Sequence, residues 1–193
     1  MRRQLQINSD HLVFVLLVAI AVVGRLGRLD WNFTPLAAVA LLAGCYFRNR
    51  FVAALVPLTA LAITDLTQPS HYSGWVLASV WGCMMVPAML GPWLRKASSK
   101  LQVATRGVTS ALLPATIFFL VTNLVVWAVG PVAGSPFQFG SDLAGLATVY
   151  AAGIPFYLKM LAGDLFYVTT LFGAFAIATG GFRAWNETAQ GAG

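Results

Sequence analysis

Six apolar stretches, each near the length of a membrane-crossing helix, succeed one another with only short turn-rich or basic segments between them. They run from His11 to Gly24 (extendable to Leu29), Pro35 to Phe47, Phe51 to Leu66, Gly74 to Leu94, Gly107 to Val129, and Ala152 to Gly180. A spanning helix needs about 20 predominantly apolar residues, and such a backbone must satisfy its own hydrogen bonds inside lipid. The pattern therefore predicts an all-α polytopic membrane protein, a bundle of six transmembrane helices. Only 9% of the residues are charged and 59% are hydrophobic, against roughly 25% charged in soluble domains. With 193 residues the chain suits one domain, expected over residues 1–185, with 186–193 as a flexible tail.

The second and third stretches are short. At ~1.5 Å per residue they reach only ~20–24 Å, so they either cross with help from their flanks or form a re-entrant pair. Residues Ser141–Gly153 read as a separate short surface helix, capped by Ser141 or Asp142, before the sixth span.

Charge orients the segments. Arg2, Arg3, Arg48, Arg50, Arg95, Lys96, Lys100, Arg106 and Arg183 all fall on one side of a six-span arrangement. That side is expected to face the cytoplasm, which places both termini there. The net charge of +6 is thus read as a topology signal, and no nucleic-acid partner is expected. Arg2 and Arg3 precede an apolar stretch, but no clean small-residue cleavage pattern follows it, so the N-terminus reads as mature sequence. Cys45 and Cys83 lie in apolar runs without metal spacing, and His11 and His71 stand singly. Neither a metal nor a cofactor is expected. No phosphate-binding loop, zinc-protease helix or nucleophile elbow is present, so nothing points to an enzyme.

Polar residues within or beside apolar spans are costly and tend to face the protein interior. Here they gather toward the outer side: Arg25, Arg28, Asn32 and Thr34 around the first loop, Asp65 near the end of the third span, Asn123 and Trp127 four apart on one face of the fifth, and Lys159 and Asp164 in the outer half of the sixth. Together they suggest a polar pocket open to the outside and closed below by apolar packing, rather than a channel lined through the full depth. Arg25 and Arg28 would attract negative charge, or lie among lipid headgroups. Lys159 would meet an anionic ligand, or bridge to Asp65. Asp164 would support the site from deeper in the bundle. Ala40 and Gly44 are spaced for close helix packing.

The stretches NFTPLAAVALLAGCYF (Asn32–Phe47), LAITDL (Leu61–Leu66), VTNLVVW (Val121–Trp127) and YAAGIPFYLKMLAGDLFY (Tyr150–Tyr167) resemble an uncharacterised family of bacterial membrane proteins described as candidate transport proteins. That family in turn is similar to the substrate-binding S components of energy-coupling factor (ECF) transporters. The resemblance implies a compact six-helix bundle in the bacterial inner membrane that binds a vitamin- or precursor-like ligand near the outer face, under the loop joining the first two helices. It also implies a separate coupling subunit with two ATPases. The small-residue pattern that meets such a partner in S components is not clean here: VAIAVVG (Val18–Gly24) has no regular alanine repeat. The expected function is therefore capture of a small polar or anionic compound from the outer face. The alternative is a structural or accessory subunit of a larger respiratory or photosynthetic membrane complex.

Overall fold

The computed structural model describes residues 2–27, 32–67, 73–131 and 137–178. The described residues form six helices and no strand: α1 Arg2–Leu26, α2 Leu36–Tyr46, α3 Arg50–Thr67, α4 Gly74–Arg95, α5 Lys100–Val129 and α6 Leu143–Ala178. Five of them are long and apolar enough to cross a membrane; α2 is the short exception.

That exception is the centre of the molecule. A helix that is apolar on every side has no face to give to water, and so is buried all round. In α2 every residue from Leu36 to Cys45 is buried, and the helix touches each of the other five. Around it the long helices neighbour one another in the order α1, α3, α4, α5, α6. Alanines and Gly44 keep α2 thin enough to be surrounded. At its crossing with α4, a Cβ on Gly91 would fall on the backbone of Gly44 and Cys45, and one on Gly44 would fall on the Ala88 backbone. The Cys45 thiol donates to the Gly91 carbonyl (3.3 Å) and the Arg95 guanidinium to the Cys45 carbonyl (3.3 Å). The small-residue face expected at Ala40 and Gly44 is thus spent on packing within the chain, and both cysteines are buried and free.

Contacts at its two ends give the direction of α2. Pro35 lies against Gly24. At the other end the Tyr46 hydroxyl donates to Asp10 (3.2 Å) and the Phe47 ring packs edge-on against Phe14. Hence α2 with its flanks runs antiparallel to α1 over the depth between Asp10 and Gly24, ~21 Å at 1.5 Å per residue. The same contacts, with the Tyr46–Phe175 ring pair, bring the early part of α1, the α2–α3 junction, the end of α4 and the end of α6 to one end of the bundle. That is the end at which Arg48, Arg50, Arg95 and Lys96 lie.

One expectation is corrected here. The separate surface helix at Ser141–Gly153 does not exist as a distinct element; it is the first part of a single 36-residue α6 that carries Pro155 inside it. Proline removes one helical hydrogen bond, and glycine costs about 1 kcal/mol against alanine, but α5 supports α6 on both sides of the proline. The Tyr150 hydroxyl donates to the Leu120 carbonyl (2.7 Å), and the Tyr157 and Thr116 hydroxyls share a 2.9 Å hydrogen bond. The cap is Asp142, whose Oδ1 accepts from the Gly145 N–H at 2.8 Å. Asp142→Ala should therefore cost about 1 kcal/mol, seen as faster amide hydrogen exchange confined to the first turns of α6. Exchange unchanged from the wild type would remove the cap's assigned role.

The α5–α6 hairpin is longer than the rest of the bundle. Its helices have 30 and 36 residues, or ~45 and ~54 Å at 1.5 Å per residue. Phe33, in the turn between α1 and α2, lies beside Gly163 of α6 (3.2 Å from the position of a Cβ there). The part of α6 before Gly163 therefore runs past Phe33, together with the stretch of α5 that pairs with it, on the side opposite the basic end.

Candidate functional site

Under this overhang, where the α5–α6 hairpin passes the α1–α2 turn, lies a cavity of about 170 Å³. From α5 come Phe118, Phe119, Thr122 and Asn123; from α6 come Gly153, Phe156, Tyr157 and Met160; Asn32 reaches it from the turn. The spacing explains the membership: residues three and four apart share a helical face, and each helix presents one such stripe to the other.

The polar groups are few and held in place. The Asn123 side-chain amide donates to the Phe119 carbonyl (2.7 Å) and the Thr122 hydroxyl to the Phe118 carbonyl (2.7 Å). Each is thus pinned to its own helix with its second polar valence open. Gly153 makes room for the amide: a Cβ there would stand 2.7 and 2.9 Å from the two Asn123 amide atoms and 3.0 Å from the Phe119 ring. The Phe119 and Tyr157 rings stack at 4.7 Å with an interplanar angle of 24°. Asn32 has φ +64°, a left-handed conformation that asparagine tolerates better than most side chains. The result is an aromatic-walled space with a few placed uncharged polar groups, the usual chemistry of a small-molecule site. An engineered apolar cavity of about 150 Å³ accommodates benzene, so the space suits a compact solute.

Of the candidate residues read from the sequence, the cavity brings together Asn32 and Asn123. Thr34 is half-buried nearby at the start of α2. Trp127 shares a helical face with Asn123, but its indole donates to the Asp142 carbonyl (3.3 Å), so it ties the end of α5 to the start of α6. Lys159 is exposed on α6. Arg28 and Asp30 lie outside the described residues, as do His71, Tyr72, Arg183 and the tail 186–193.

Arg25 and Asp65 require a larger correction. They do not join Asn123 and Lys159 in one void; they bind each other between α1 and α3. Arg25 Nη2 stands 2.8 Å from Asp65 Oδ1, and both side chains are about nine-tenths buried, at 13% and 12% exposed. Arg25 Nη1 donates to the Thr64 hydroxyl (2.6 Å), and the Trp81 indole of α4 donates to Asp65 Oδ2 (2.9 Å). A buried charge must be paired. The bridge considered for Lys159 and Asp65 is made instead by Arg25, because α3 packs beside α1. Arg25 is thereby paired within the protein, where the sequence had offered it to negative charge or to lipid headgroups.

Sequence reasoning did not single out Thr122, Phe118, Phe119, Gly153 or Met160. The available signal was helical spacing, which places Phe119 four from Asn123, and Thr122 three and four from Phe119 and Phe118. The facing residues of α6 needed the register of the hairpin. Asp164 lies deeper, 3% exposed. A second cavity, of about 310 Å³, opens between α5, α6 and the end of α4; its walls, among them Ala104, Val108 and Phe172, are apolar apart from Thr169, so it offers little to orient a polar solute. No group of three His, Cys, Asp or Glu side chains suited to a metal occurs among the described residues.

Residues 5–185 match the profile of a protein family described as a family of unknown function (DUF6580). No curated protein and no solved structure matches the chain.

Proposed function

We propose that this protein, which belongs to the DUF6580 family, is a membrane substrate-binding or transport protein that captures a small polar compound from the outer side of the bacterial inner membrane. The observation that carries the reading is the cavity between Asn32, Asn123 and Gly153, polar at a few points, aromatic elsewhere and large enough for a compact solute. Among the described residues its lining bears no charged side chain, and Arg25, one of the candidate cations read from the sequence, is occupied by Asp65. An uncharged polar solute therefore suits it better than an anion.

The topology that goes with this reading has six crossings and both termini in the cytoplasm. It is supported by the meeting of the basic helix ends at one end of the bundle. The cavity then lies toward the outside, next to the turn joining the first two helices. This is where the resemblance to ECF S components puts a ligand. Partners in this reading are the lipid bilayer, the solute and, if energy comes from ATP, a separate coupling subunit with its ATPases.

The test is release of bound small molecules. Gently purified wild-type protein, denatured and analysed by mass spectrometry, should yield a low-mass polar compound in near-stoichiometric amount. Gly153→Leu, which fills the space over the Asn123 amide, should abolish it, and Asn123→Ala should reduce it by about tenfold, the worth of a lost hydrogen bond of roughly 1–1.5 kcal/mol. Equal release from all three proteins, or release of lipid and detergent alone, would reject the reading in favour of a structural subunit.

A further inference from the structure

Asp164 is the least explained group in the bundle. It continues the stripe of α6 that lines the cavity: Gly153, Tyr157, Met160 and Asp164 are spaced i, i+4, i+7 and i+11, so they stack on one face. Asp164 thus lies one turn below Met160, and it is 97% buried, with Oδ2 making no hydrogen bond within the protein. Asp65 of α3 has Arg25 and Trp81 as partners; Asp164 has nothing comparable among the described residues.

Among the described residues, the groups around it do not supply a counter-charge. The helices packed on α6 are α5 and α2. On α5, Arg106 turns toward α4, donating to the Trp93 carbonyl (2.8 Å) with its guanidinium over the Trp93 ring, and Lys100 begins the helix at the basic end. On α2 the titratable residues are Cys45 and Tyr46, at the far end. Residues 32–34 of the turn carry no ionisable side chain. On α6 itself Lys159 is exposed, Tyr157 is bonded to Thr116, and Tyr167 packs on Phe33. An unpaired carboxylate in such surroundings is far costlier than the neutral acid, and a lone carboxyl with no further oxygen ligands is a poor cation cage. A proton is the ligand that fits.

We propose that Asp164 is a proton-binding site at the foot of the cavity, loaded and unloaded through it, so that solute capture is linked to proton movement. The carboxylate takes its proton from water entering the cavity and returns it to water there; no other reactant is needed. The link to solute rests on the cavity reading above, whereas the protonated state of Asp164 does not.

Dicyclohexylcarbodiimide, an apolar reagent, tests the site in the intact purified protein. It needs the acid's proton on its nitrogen before the carboxyl oxygen attacks its central carbon, so it selects protonated carboxyls in apolar surroundings. Peptide mass spectrometry should find the adduct on Asp164 and not on the ion-paired Asp65, and Asp164→Asn should remove it. A water-soluble carbodiimide should also reach Asp164 in the wild type, and an order of magnitude more slowly in Met160→Trp, which blocks the foot of the cavity. Labelling of Asp65 as fast as Asp164, or no adduct on Asp164, would overturn the proton site. Normal apolar labelling with a soluble-reagent rate indifferent to Met160→Trp would overturn the route through the cavity alone. Loss of solute release with labelling intact would instead count against the solute reading.

Discussion

Gly91→Val is expected to be among the most destabilising single substitutions in this protein. The crossing of α2 and α4 is a backbone-to-backbone contact, and a Cβ at Gly91 would overlap the main chain of Gly44 and Cys45. A clash with a flexible side chain is relieved by a new rotamer; a clash with main chain is relieved only by moving a helix. Overpacking typically costs 1–3 kcal/mol, and this case should lie at or above the upper end, about 3 kcal/mol. The helix to be moved is α2, which every other helix touches, so the loss should spread through the bundle. Gly82 of the same helix is the control, since nothing stands within 4 Å of a Cβ there. Gly82→Ala should be neutral or stabilise by up to about 1 kcal/mol through helix propensity. Thermal loss of the monodisperse species in detergent measures both. Equal melting of Gly91→Val and wild type would mean that the α2–α4 crossing is looser than described.

The second large effect is expected at the Arg25–Asp65 pair. Removing one member of a buried ion pair strands the other, at a cost of about 3–5 kcal/mol, while replacing both by apolar residues of similar size is often close to neutral. Arg25→Met should therefore destabilise strongly, and adding Asp65→Leu should restore much of the loss. The recovery should be incomplete, because Thr64 and the Trp81 indole lose their partners at the same time. Asp65→Leu alone should be the milder single change: Arg25 is one residue from the end of α1, and its long stem can carry the guanidinium to the membrane surface. A double-mutant cycle on thermal stability reads this directly. Additive effects would show that the pair is not coupled, and that the free energy lies in the separate hydrogen bonds.

The two predictions differ in how far they were legible beforehand. That Gly44 belonged to a close-packed face was visible from its neighbours, Ala37 to Ala43. That its partner was Gly91 was not, because α4 has several small residues and only the crossing point selects among them. Likewise, an acid and a base among apolar segments announce that each needs a partner, but the partner depends on which helices are neighbours. Lys159 was the partner weighed for Asp65; that Arg25 takes this place followed only from α3 lying beside α1. At the cavity, Asn123 declared itself as an amide within an apolar span, and Asn32 as a polar residue at a turn. Gly153 and Met160 carried no such mark. A glycine matters there only because Asn123 stands opposite, and that follows from the register of a hairpin whose turn lies many residues away.

Segment lengths, apolar runs and the placement of basic residues are local properties, and they settled by themselves that this chain is helical, rich in apolar segments of membrane-crossing length, and basic at one set of helix ends. Those properties come from backbone hydrogen bonding and from the transfer of side chains out of water, which each residue feels largely independently of distant ones. Lateral order, register and depth come from contacts between residues far apart in the chain, whose free energy exists only once the helices have met. The tertiary structure therefore decided the rest: that the shortest helix is the centre, that Arg25 is bound to Asp65, that α6 runs unbroken through Pro155, and that Asn32 and Asn123 share a space above a buried acid.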